Sequence, residues 1–465
     1  MTKNGGLMFV GRENELKILN RVFSSNRQES VLIYGRRRIG KTELIKKAIE
    51  DFEGEYIYYE AKQTTELSNV DSLSSLISDI LNLPRLGFQS MEEVFEFLFS
   101  YAKDKTMVFV LDEYPYLRSC MKGLDSILQT VIDKHLHTSH LKLILCGSYV
   151  DTMKSLIERE NPLYGRFTRV LDIKPMDYYD SSLFYPSFSN EDKVALYSVF
   201  GGIPYYNRLI DESLSVRENI IDLIASQNGL LLNEVPMYLK NEISKINNAN
   251  EVFETLAAGN TKFTNILNKS HIASSPILSD VLDKLMKMGV VEKRAPINDK
   301  NNKKKAGYYI CDNFTLFYYK YIFRNSSRMN IMDSDIFYDR YIAEDFETKY
   351  VPKVFEDVCR QYLIRRNRKG LMDEIFEKIG KYYYDDPVAK KNGEFDIVTQ
   401  DDKGYIFYEA KFRKEPVTEQ MIREEICQVE QTGLECYKYG FFSRSGFACE
   451  GADNCKLIEL RELYK

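Results

Sequence analysis

One eight-residue stretch constrains the fold of this chain more than any other, because it lies between a predicted strand and a predicted helix. Residues 31–34 predict a buried strand, and Leu44, Ile45 and Ala48 repeat at helical spacing. Between them, GRRRIGKT at 35–42 matches the spacing G-x-x-x-x-G-K-[ST] of a loop that wraps phosphate. Glycines let such a loop turn tightly, so that backbone N–H groups and the helix N terminus face an anion. The sequence therefore predicts an α/β fold built around a phosphate-binding loop.

This loop predicts a nucleoside triphosphate site with Mg²⁺. Lys41 is expected to reach the β and γ phosphates, and the Thr42 hydroxyl is expected to bind the metal. The three consecutive arginines either add charge to the phosphate pocket, face a partner, or are simply exposed to solvent. The residues predicted to contact the nucleotide are Gly35, Arg36, Arg37, Arg38, Ile39, Gly40, Lys41 and Thr42.

A second strand predicts acidic groups at the same edge of the sheet. Residues 107–111 are apolar and are followed directly by Asp112 and Glu113, about 70 residues after the phosphate loop. Open α/β sheets bind ligands at the carboxyl ends of their strands. Asp112 is predicted to join the Mg²⁺ shell, and Glu113 to act as general base on the attacking water.

An ordered set of motifs carries a family resemblance over roughly residues 8–245. FVGRENEL, YGRRRIGKTEL, VFVLDEYPYL, LILCGS, PLYGR and GGIPYY occur in that order. Together they resemble the archaeal-type ATPases, a P-loop group related to STAND and AAA+ proteins. The resemblance implies ATP as the cofactor together with Mg²⁺, ATP hydrolysis, and a helical lid after the core.

The same resemblance suggests roles for two further polar residues, each with an alternative. Ser148 stands where the sensor-1 residue of AAA+ ATPases would lie, although a serine there could equally cap the following helix. Arg166 is implied as a γ-phosphate-sensing or finger arginine, in cis or in trans, although it could equally be a surface residue.

Length and composition limit the remaining function classes. A chain of 465 residues is too long for one core, and its net charge of −5 gives no whole-chain basic footprint for nucleic acid. The eight cysteines form no CxxC pair, which argues against a zinc site. Because no apolar run reaches 18 residues, we expect a cytoplasmic protein without a membrane partner.

Residues 246–312 predict a winged helix. Helical patterns at 251–258, 261–269 and 276–288 precede two short strands joined by a lysine-rich loop that contains Lys300, Lys303, Lys304 and Lys305. Such a loop can neutralise phosphates without reading bases, which would make DNA a partner. The alternative is a module that packs against protein, with lysines that only solvate the loop.

A second set of acidic residues appears near the C terminus. Glu356 lies at the edge of an amphipathic helix, and a predicted hairpin carries Asp396 on one strand and Glu409 and Lys411 on the next. Strand alternation puts Glu409 and Lys411 on one face, so that these side chains can converge. Asp396 and Glu409 are predicted Mg²⁺ ligands, and Lys411 is predicted to orient water or stabilise a pentavalent phosphate.

This second set resembles the PD-(D/E)xK nuclease fold over about residues 345–465, and also a C-terminal domain of uncharacterised function that is often fused to archaeal-type ATPases. The proline of the signature is absent, since Glu394 and Phe395 precede Asp396. The resemblance implies catalytic roles for Glu356, Asp396, Glu409 and Lys411. The alternative is an exposed hairpin whose Glu–Lys pair contributes little.

The predicted architecture is therefore α/β and multidomain. Its parts are a P-loop NTPase parallel sheet at 1–172, a helical lid at 173–245, a winged helix at 246–312, a helical connector at 313–344 and a restriction-endonuclease-like α/β domain at 345–465. The predicted function is an ATP-hydrolysing switch coupled to a Mg²⁺-dependent, nucleic-acid-directed domain. A STAND-like regulator with an inactive nuclease-like domain and a motor acting on protein are the alternatives. A homo-oligomer is a further candidate arrangement.

Overall fold

The structure is a computed structural model that describes residues 9–237, 248–299, 305–386, 391–451 and 454–465. The chain divides into two compact units, Met1–Pro175 and Met176–Lys465. The predicted finer division of the second unit stays a prediction. Within the described ranges, no helix is both long enough and apolar enough to cross a membrane.

The first unit is an α/β layer structure. Its strands are β1 (Glu29–Tyr34), β2 (Glu55–Glu60), β3 (Met107–Asp112), β4 (Leu141–Gly147) and β5 (Arg169–Asp172). Its helices are α1 (Glu13–Phe23), α2 (Lys41–Glu50), α3 (Glu66–Ile80), α4 (Met91–Tyr101), α5 (Tyr114–Cys120), α6 (Leu124–His135) and α7 (Val150–Ser155). Within the described residues, the strands form one parallel sheet in the order β2-β3-β4-β1-β5. The predicted parallel α/β sheet is confirmed.

The centre of this sheet positions the predicted nucleotide site. Every residue of β1, β3 and β4 is buried, as expected for parallel strands covered by helices on both faces. Because the three strands are neighbours and run in the same direction, their carboxyl ends share one edge. The phosphate loop, the acidic pair after β3 and Ser148 therefore follow adjacent strands.

One sequence-based expectation needs correction in this unit. The sequence predicts one helical stretch over about residues 71–102, but the structure has two helices there, α3 and α4. Asn82 adopts a left-handed φ of 52° just after α3, and Pro84 follows it. The Ser90 hydroxyl then accepts a hydrogen bond from the Glu93 N–H at 3.3 Å and starts α4 as its N-cap.

The second unit begins with helices and ends with a sheet. Its helices are α8 (Tyr178–Ser182), α9 (Asn190–Phe200), α10 (Pro204–Asn207), α11 (Val216–Leu223), α12 (Ala249–Ala257), α13 (Phe263–Lys269), α14 (Ser275–Lys287), α15 (Asn313–Phe317), α16 (Ser326–Met329), α17 (Ser334–Tyr338), α18 (Val351–Arg368) and α19 (Glu419–Glu430). Its strands are β6 (Val291–Arg294), β7 (Gly307–Ile310), β8 (Lys378–Asp386), β9 (Lys391–Asp401), β10 (Gly404–Lys411), β11 (Cys436–Ser443) and β12 (Cys455–Glu459). Segments 318–322, 339–343 and 346–350 are π-helical, and 323–325 and 460–464 are 3₁₀-helical.

Three helices and a two-stranded ribbon follow each other in the region predicted as a winged helix. Helices α12, α13 and α14 precede β6 and β7, which pair antiparallel. This order of elements is the one that the prediction requires, and the assignment to that fold stays a prediction. Lys300, Lys303 and Lys304 of the lysine-rich loop lie outside the described residues.

The described part of that loop packs on the edge of the C-terminal sheet. The Ile297 N–H donates to the Lys381 carbonyl of β8 at 2.8 Å. The Asn298 amide closes a pair of hydrogen bonds with the Tyr383 backbone, at 2.7 and 3.1 Å. Lys305 lies 4.1 Å from the centre of the Tyr383 ring. These contacts are all with β8, and they cover a sheet edge that would otherwise expose backbone groups.

The C-terminal sheet is mixed. In the described residues its order is β12-β11-β10-β9-β8, with β8, β9 and β10 antiparallel and β10, β11 and β12 parallel. Helix α18 precedes the sheet, and α19 connects β10 to β11. Ile397 pairs with Tyr408, so the adjoining residues Asp396 and Glu409 lie together at the end of the β9–β10 ladder.

Helix α18 is anchored by the first helices of the same unit. The Arg365 guanidinium donates to Asp177 at 2.7 Å and to Asp180 at 3.0 Å. Gln361 accepts a hydrogen bond from the Tyr178 N–H at 3.0 Å. These contacts fix the helix that carries Glu356.

Candidate functional site

The two glycines of the phosphate loop are required for different reasons. A Cβ on Gly35 would lie 2.5 Å from the Ile173 carbonyl oxygen, so only glycine allows this close approach. Gly40 has a φ of 91° and is the N-cap of α2, a conformation that side chains disfavour. The loop therefore leads the backbone directly into the N terminus of α2, as a phosphate cradle requires.

Lys41 spans the loop. Its ammonium donates to the carbonyl oxygens of Gly35 at 2.9 Å and Arg36 at 3.1 Å, and to the Ser148 hydroxyl at 2.9 Å. The side chain is 5% exposed. All three of these acceptors are uncharged, so a polyanion entering the loop would gain a charge-assisted hydrogen bond from Lys41.

Asp112 is the acceptor for two hydroxyl groups. Thr42 Oγ1 donates to Asp112 Oδ2 at 3.1 Å, which places the two predicted metal ligands in contact. The Tyr58 hydroxyl on β2 donates to the same carboxylate oxygen. Burial first, and then the Asp112 charge, raise the pKa of Tyr58 and keep it a donor.

Glu113 is held by Ser148. The Ser148 hydroxyl donates to Glu113 Oε1 at 2.7 Å, and its N–H donates to Oε2 at 3.4 Å. Glu113 has a left-handed φ of 50°, a strained conformation for a glutamate that is typical of functional sites. The interpretation of Ser148 as a helix cap is wrong, because α7 has Tyr149 as its N-cap. Lys41, Ser148 and Glu113 thus form one hydrogen-bonded line.

Arg12, in the N-terminal motif, ties that motif to the phosphate loop. Its Nη2 donates to the Ile39 carbonyl at 3.4 Å and to the Lys174 carbonyl at 2.6 Å. Within the first unit, this guanidinium therefore links the residue before α1, the phosphate loop and the segment that follows β5.

The other arginines singled out by the sequence have different surroundings. Arg37 is exposed, whereas Arg36 and Arg38 are half-buried. Arg166 makes a two-point ion pair with Asp133 of α6, at 3.2 and 3.0 Å, and also donates to the Tyr164 carbonyl. The Asp133 carboxylate raises the pKa of Arg166. The structure holds this guanidinium against α6, and its sensing role stays a prediction.

In the second unit, Glu356 and Asp396 share one lysine, Lys353. The Lys353 ammonium lies 2.5 Å from Glu356 Oε2 and 3.3 Å from both Asp396 oxygens. Lys381, on β8, lies 2.6 Å from Asp396 Oδ1. The helix acid and the hairpin acid are thus brought to one place, bridged by a cation.

Glu409 and Lys411 lie on one face of β10, as strand alternation predicts. Lys411 Nζ is 2.8 Å from Glu409 Oε1 and 2.6 Å from Glu425 Oε1 of α19. Burial is the largest cause of a raised Glu409 pKa, and the nearby Glu425 and Asp396 charges raise it further. Glu409 therefore belongs electrostatically to the same cluster as Asp396.

Burial separates the protonation behaviour of the two converging acids. It raises the pKa of Glu356 to about 7, with the Asp396 charge adding to the effect and Lys353 opposing it. Burial also pushes the pKa of Asp396 upward, but Lys381 and Lys353 outweigh it and leave the pKa below its ordinary value. One acid that holds a proton near neutrality beside one that is ionised is an arrangement suited to proton transfer.

The two sites differ in how well they fit a metal ion. Thr42 and Asp112 are hard oxygen donors already in contact, and this donor set fits the Mg²⁺ of a nucleotide. Asp396 and Glu409 offer the same chemistry, but lysine ammonium groups occupy their oxygens. Within the described ranges, no group of three or more His, Cys, Asp or Glu side chains is arranged to hold a metal.

Several residues of these sites gave no signal in the sequence. Tyr58 reaches Asp112 from the neighbouring strand β2, and Lys353 and Lys381 reach Asp396 from α18 and β8. A motif search finds residues at fixed sequence spacing, whereas these contacts depend on which elements become neighbours. Burial-period analysis of β2 would have shown only that Tyr58 is half-buried.

Two protein-family models match the chain. Residues 9–210 match an ATPase domain predominantly from Archaea. Residues 318–425 match a family described as archaeal and bacterial proteins of unknown function. The second match begins at residue 318 in the helical connector, before the predicted start of the nuclease-like domain at 345.

Similar proteins cover the chain to different extents. An uncharacterized protein of Methanocaldococcus jannaschii is 31% identical over 462 residues, which span 98% of this chain and 100% of that protein. An uncharacterized ATP-binding protein of the same organism is 49% identical over 47 residues, 10% of this chain and 80% of that protein.

Among solved structures, the Walker-type ATPase of Pyrococcus abyssi has a TM-score of 0.51 at 19% identity, with 67% of this chain and 96% of that chain covered. This similarity is one of fold. The nearly full-length relative, the matched ATPase domain and the phosphate-loop geometry agree with one another. The chain belongs to the family of P-loop ATPases found predominantly in Archaea.

Proposed function

We propose that this protein is an ATP-hydrolysing switch whose nucleotide state controls a Mg²⁺-dependent phosphodiesterase site for nucleic acid. The observation that carries the ATPase part of the proposal is the hydrogen-bonded line Lys41–Ser148–Glu113 beside the Thr42–Asp112 contact. This line puts a cation, a candidate base and two hard oxygen ligands at the carboxyl edge of one parallel sheet.

In the proposed ATPase reaction, Lys41 and the backbone N–H groups of the loop bind the β and γ phosphates. Thr42 and Asp112 hold Mg²⁺, which supplies charge neutralisation when bound. Glu113 orients the attacking water and takes its proton. Ser148 is hydrogen-bonded to both Lys41 and Glu113 and thereby positions the base. A γ phosphate competes with Ser148 for the Lys41 ammonium. We propose that Arg166 senses the γ phosphate only after its guanidinium has released Asp133.

In the proposed phosphodiesterase reaction, Asp396 and Glu409 would hold Mg²⁺, which supplies electrostatic stabilisation of the phosphate. Lys411 orients water or stabilises the negative charge that develops on the phosphate oxygens. Glu356, with its pKa raised to about 7, exchanges a proton with the leaving or attacking oxygen. The mixed strand order, with a helix before the sheet and another between β10 and β11, supports the nuclease-like interpretation.

Coupling between the two activities is proposed to run through α18. Asp177 and Asp180 follow shortly after β5 in the chain, and both are bonded to Arg365 of α18. The same helix carries Glu356. A change of nucleotide that displaces the segment after β5 would therefore act on the helix of the acidic cluster.

Cleavage assays on the full-length protein test this function. Labelled single-stranded and duplex DNA and RNA would be incubated with Mg²⁺ and with ATP, ADP or no nucleotide. We expect cleavage that depends on the nucleotide and falls about 100-fold or more in Glu409→Ala. Glu424→Ala, which changes an exposed acid on α19, is the matched control and should cleave like wild type. No cleavage in any combination, or equal cleavage by Glu409→Ala, would overturn the phosphodiesterase.

A second candidate is a nucleotide-regulated binding protein whose nuclease-like site is inactive. The contacts of Lys353 and Lys381 with Asp396 favour it, because bound ammonium groups compete with a metal ion for the carboxylate. This candidate predicts that Asp396→Ala leaves nucleic-acid processing unchanged, while Lys41→Ala still weakens nucleotide binding.

A further inference from the structure

A cleft of about 1010 Å³ opens within the second unit, next to the acidic side chains of Glu356 and Asp396. Its walls come from the end of α12, the ribbon β6–β7 and the helical connector. Its floor comes from α18 and the strands β8 and β9. Glu356 and Asp396 lie on this floor, together with Lys353 and Lys381. Two of the predicted catalytic acids, Glu356 and Asp396, therefore belong to a concave site.

The lining of the cleft is positive although the chain is acidic. Among the described residues that line it, nine side chains are Lys or Arg and six are Asp or Glu. The whole chain carries a formal charge of −5. An excess of positive charge in a concave surface attracts a ligand of the opposite sign, such as a polyanion.

One row of cations leads from solvent to the acids. Lys349 and Lys353 are four residues apart on continuous helical segments, so they share one face. Lys349 is 76% exposed and lies 3.8 Å from Asp345, while Lys353 is 58% exposed and touches Asp396. Long, exposed lysines arranged in this way can follow a phosphate backbone without reading its sequence.

Two aromatic rings on the cleft walls are partly exposed. Tyr309 and Tyr341 are half-buried, unlike the fully covered Tyr319 and Tyr350. Arg294 and Lys381 lie over the Tyr309 ring, 4.9 and 5.9 Å from its centre, and Arg328 lies over the Tyr341 ring at 5.3 Å. Partly exposed tyrosines beside cations are a pattern with which proteins stack unpaired bases, and a base stacked on either ring here would displace a cation from the ring face.

The size of the cleft favours a short, unpaired strand. Its volume is about the upper limit of ligand pockets, which run to roughly 1,000 Å³. Such a site has room for a few nucleotides, whereas a duplex is read from outside by an element that enters its groove. Bases in a duplex are also paired and stacked, so they cannot stack on Tyr309 and Tyr341.

We propose that this cleft binds a single-stranded nucleic acid segment of a few nucleotides, with its backbone along Lys349 and Lys353 and its bases on Tyr309 and Tyr341. The proposal rests on the proposed function for its nucleic-acid class. It goes beyond that function by naming the strand form and the residues that select it.

Equilibrium binding in EDTA tests the proposal without any cleavage. Fluorescence anisotropy of the full-length protein would be measured with a short labelled oligothymidylate, an oligouridylate and a duplex of the same length. Binding of either single strand at least about 10-fold tighter than the duplex is the expected result, and the preferred sugar separates DNA from RNA. Duplex binding as tight as that of both single strands would overturn the proposal.

Three variants locate the binding. Tyr309→Ala should weaken single-strand binding about 10-fold or more, and Tyr309→Phe should restore it because the ring remains. Lys349→Glu, a change at an exposed position, should weaken binding several-fold and reduce its salt dependence. Lys46→Glu, at an exposed position of α2, is the charge-matched control. Unchanged binding in both Tyr309→Ala and Lys349→Glu would contradict the proposal.

The outcomes separate this inference from the proposed function. Tight single-strand binding that depends on Tyr309 and Lys349, without cleavage under any condition, would support the cleft assignment and refute the phosphodiesterase. Cleavage that requires Glu409, together with unaffected binding in the cleft variants, would support the phosphodiesterase and refute the cleft assignment.

Discussion

Lys41 and Lys353 occupy comparable positions, each beside acids near the edge of a sheet, but their partners differ in charge. Lys41 donates to two carbonyl oxygens and a hydroxyl. Lys353 lies against two carboxylates, those of Glu356 and Asp396. The buried Lys41 therefore has no carboxylate among these three acceptors, whereas the half-exposed Lys353 is paired with two carboxylates.

This difference teaches what each site is prepared to bind. Around Lys41 an incoming polyanion meets a positive charge whose present acceptors are neutral, so it gains a charge-assisted interaction. Around Lys353 a metal ion must compete with ammonium groups for the Asp396 oxygens. We therefore expect the nucleotide site to be ready for its ligand, and the acidic cluster to bind a metal weakly and with a strong pH dependence.

The largest effect should come from the base of the ATPase site. Glu113→Gln removes the proton acceptor but keeps a side chain that can bond to Ser148, so ATP hydrolysis should fall about 100- to 10,000-fold while ATP still binds. Steady-state phosphate release, measured beside an ATP-binding titration, separates the two effects. Glu92→Gln, at an exposed site on α4, is the control. Hydrolysis at the wild-type rate in Glu113→Gln would contradict the assignment of Glu113 as the general base of the nucleotide site.

A smaller effect is expected from Glu356, and it concerns stability. Its folded pKa of about 7 lies above its ordinary value of 4.5, so the folded state holds more protons than the unfolded state between these pH values. The associated stability is fully present below pH 4.5 and is lost as the pH rises to about 7. Glu356→Gln should therefore raise the free energy of unfolding by about 1–3 kcal/mol at pH 8 and change it little near pH 4.5.

Denaturant unfolding in EDTA at the two pH values measures this difference. Glu53→Gln, at an exposed position in the first unit, should show no such pH dependence. If Glu356→Gln destabilises the protein at pH 8, the glutamate is stabilised by Lys353 more than it is penalised by burial. In that case the second site would resemble an ordinary ion pair.

The smallest effect tests the support of the acidic cluster. Asn298→Ala removes two hydrogen bonds to the Tyr383 backbone on β8, the strand that also supplies Lys381. A loss of about 1 kcal/mol in the free energy of unfolding is expected. Asn20→Ala, on the exposed face of α1, is the comparison variant. Equal stability of Asn298→Ala and wild type would mean that the loop after β6 rests on the sheet edge without stabilising it.

The phosphate loop and its parallel sheet were predictable because their signals are local. A glycine that cannot carry a Cβ, a lysine at the helix start and an apolar strand occur within residues 31–42, so spacing alone specifies the arrangement. The acidic pair after β3 was predictable for the same reason, since parallel strands bring their carboxyl ends together.

The cations around Asp396 were not predictable in this way. Lys353 reaches it from a helix 43 residues earlier in the chain, and Lys381 reaches it across a strand pair. Lysine is common on protein surfaces, and nothing in its sequence neighbourhood distinguishes a partner of a carboxylate from a solvated side chain. The docking of Asn298 on β8 was missed because side-chain contacts with a sheet edge have no sequence period.

Titration of the protein with ATP and Mg²⁺ by isothermal calorimetry tests the central claim most directly. Wild type and the control Lys46→Ala should bind ATP equally, because Lys46 is an exposed residue of α2. Lys41→Ala should bind about 10- to 100-fold more weakly, since it loses a charge-assisted interaction with the phosphates. Equal ATP affinity in Lys41→Ala and wild type, or no ATP binding by wild type, would contradict the account.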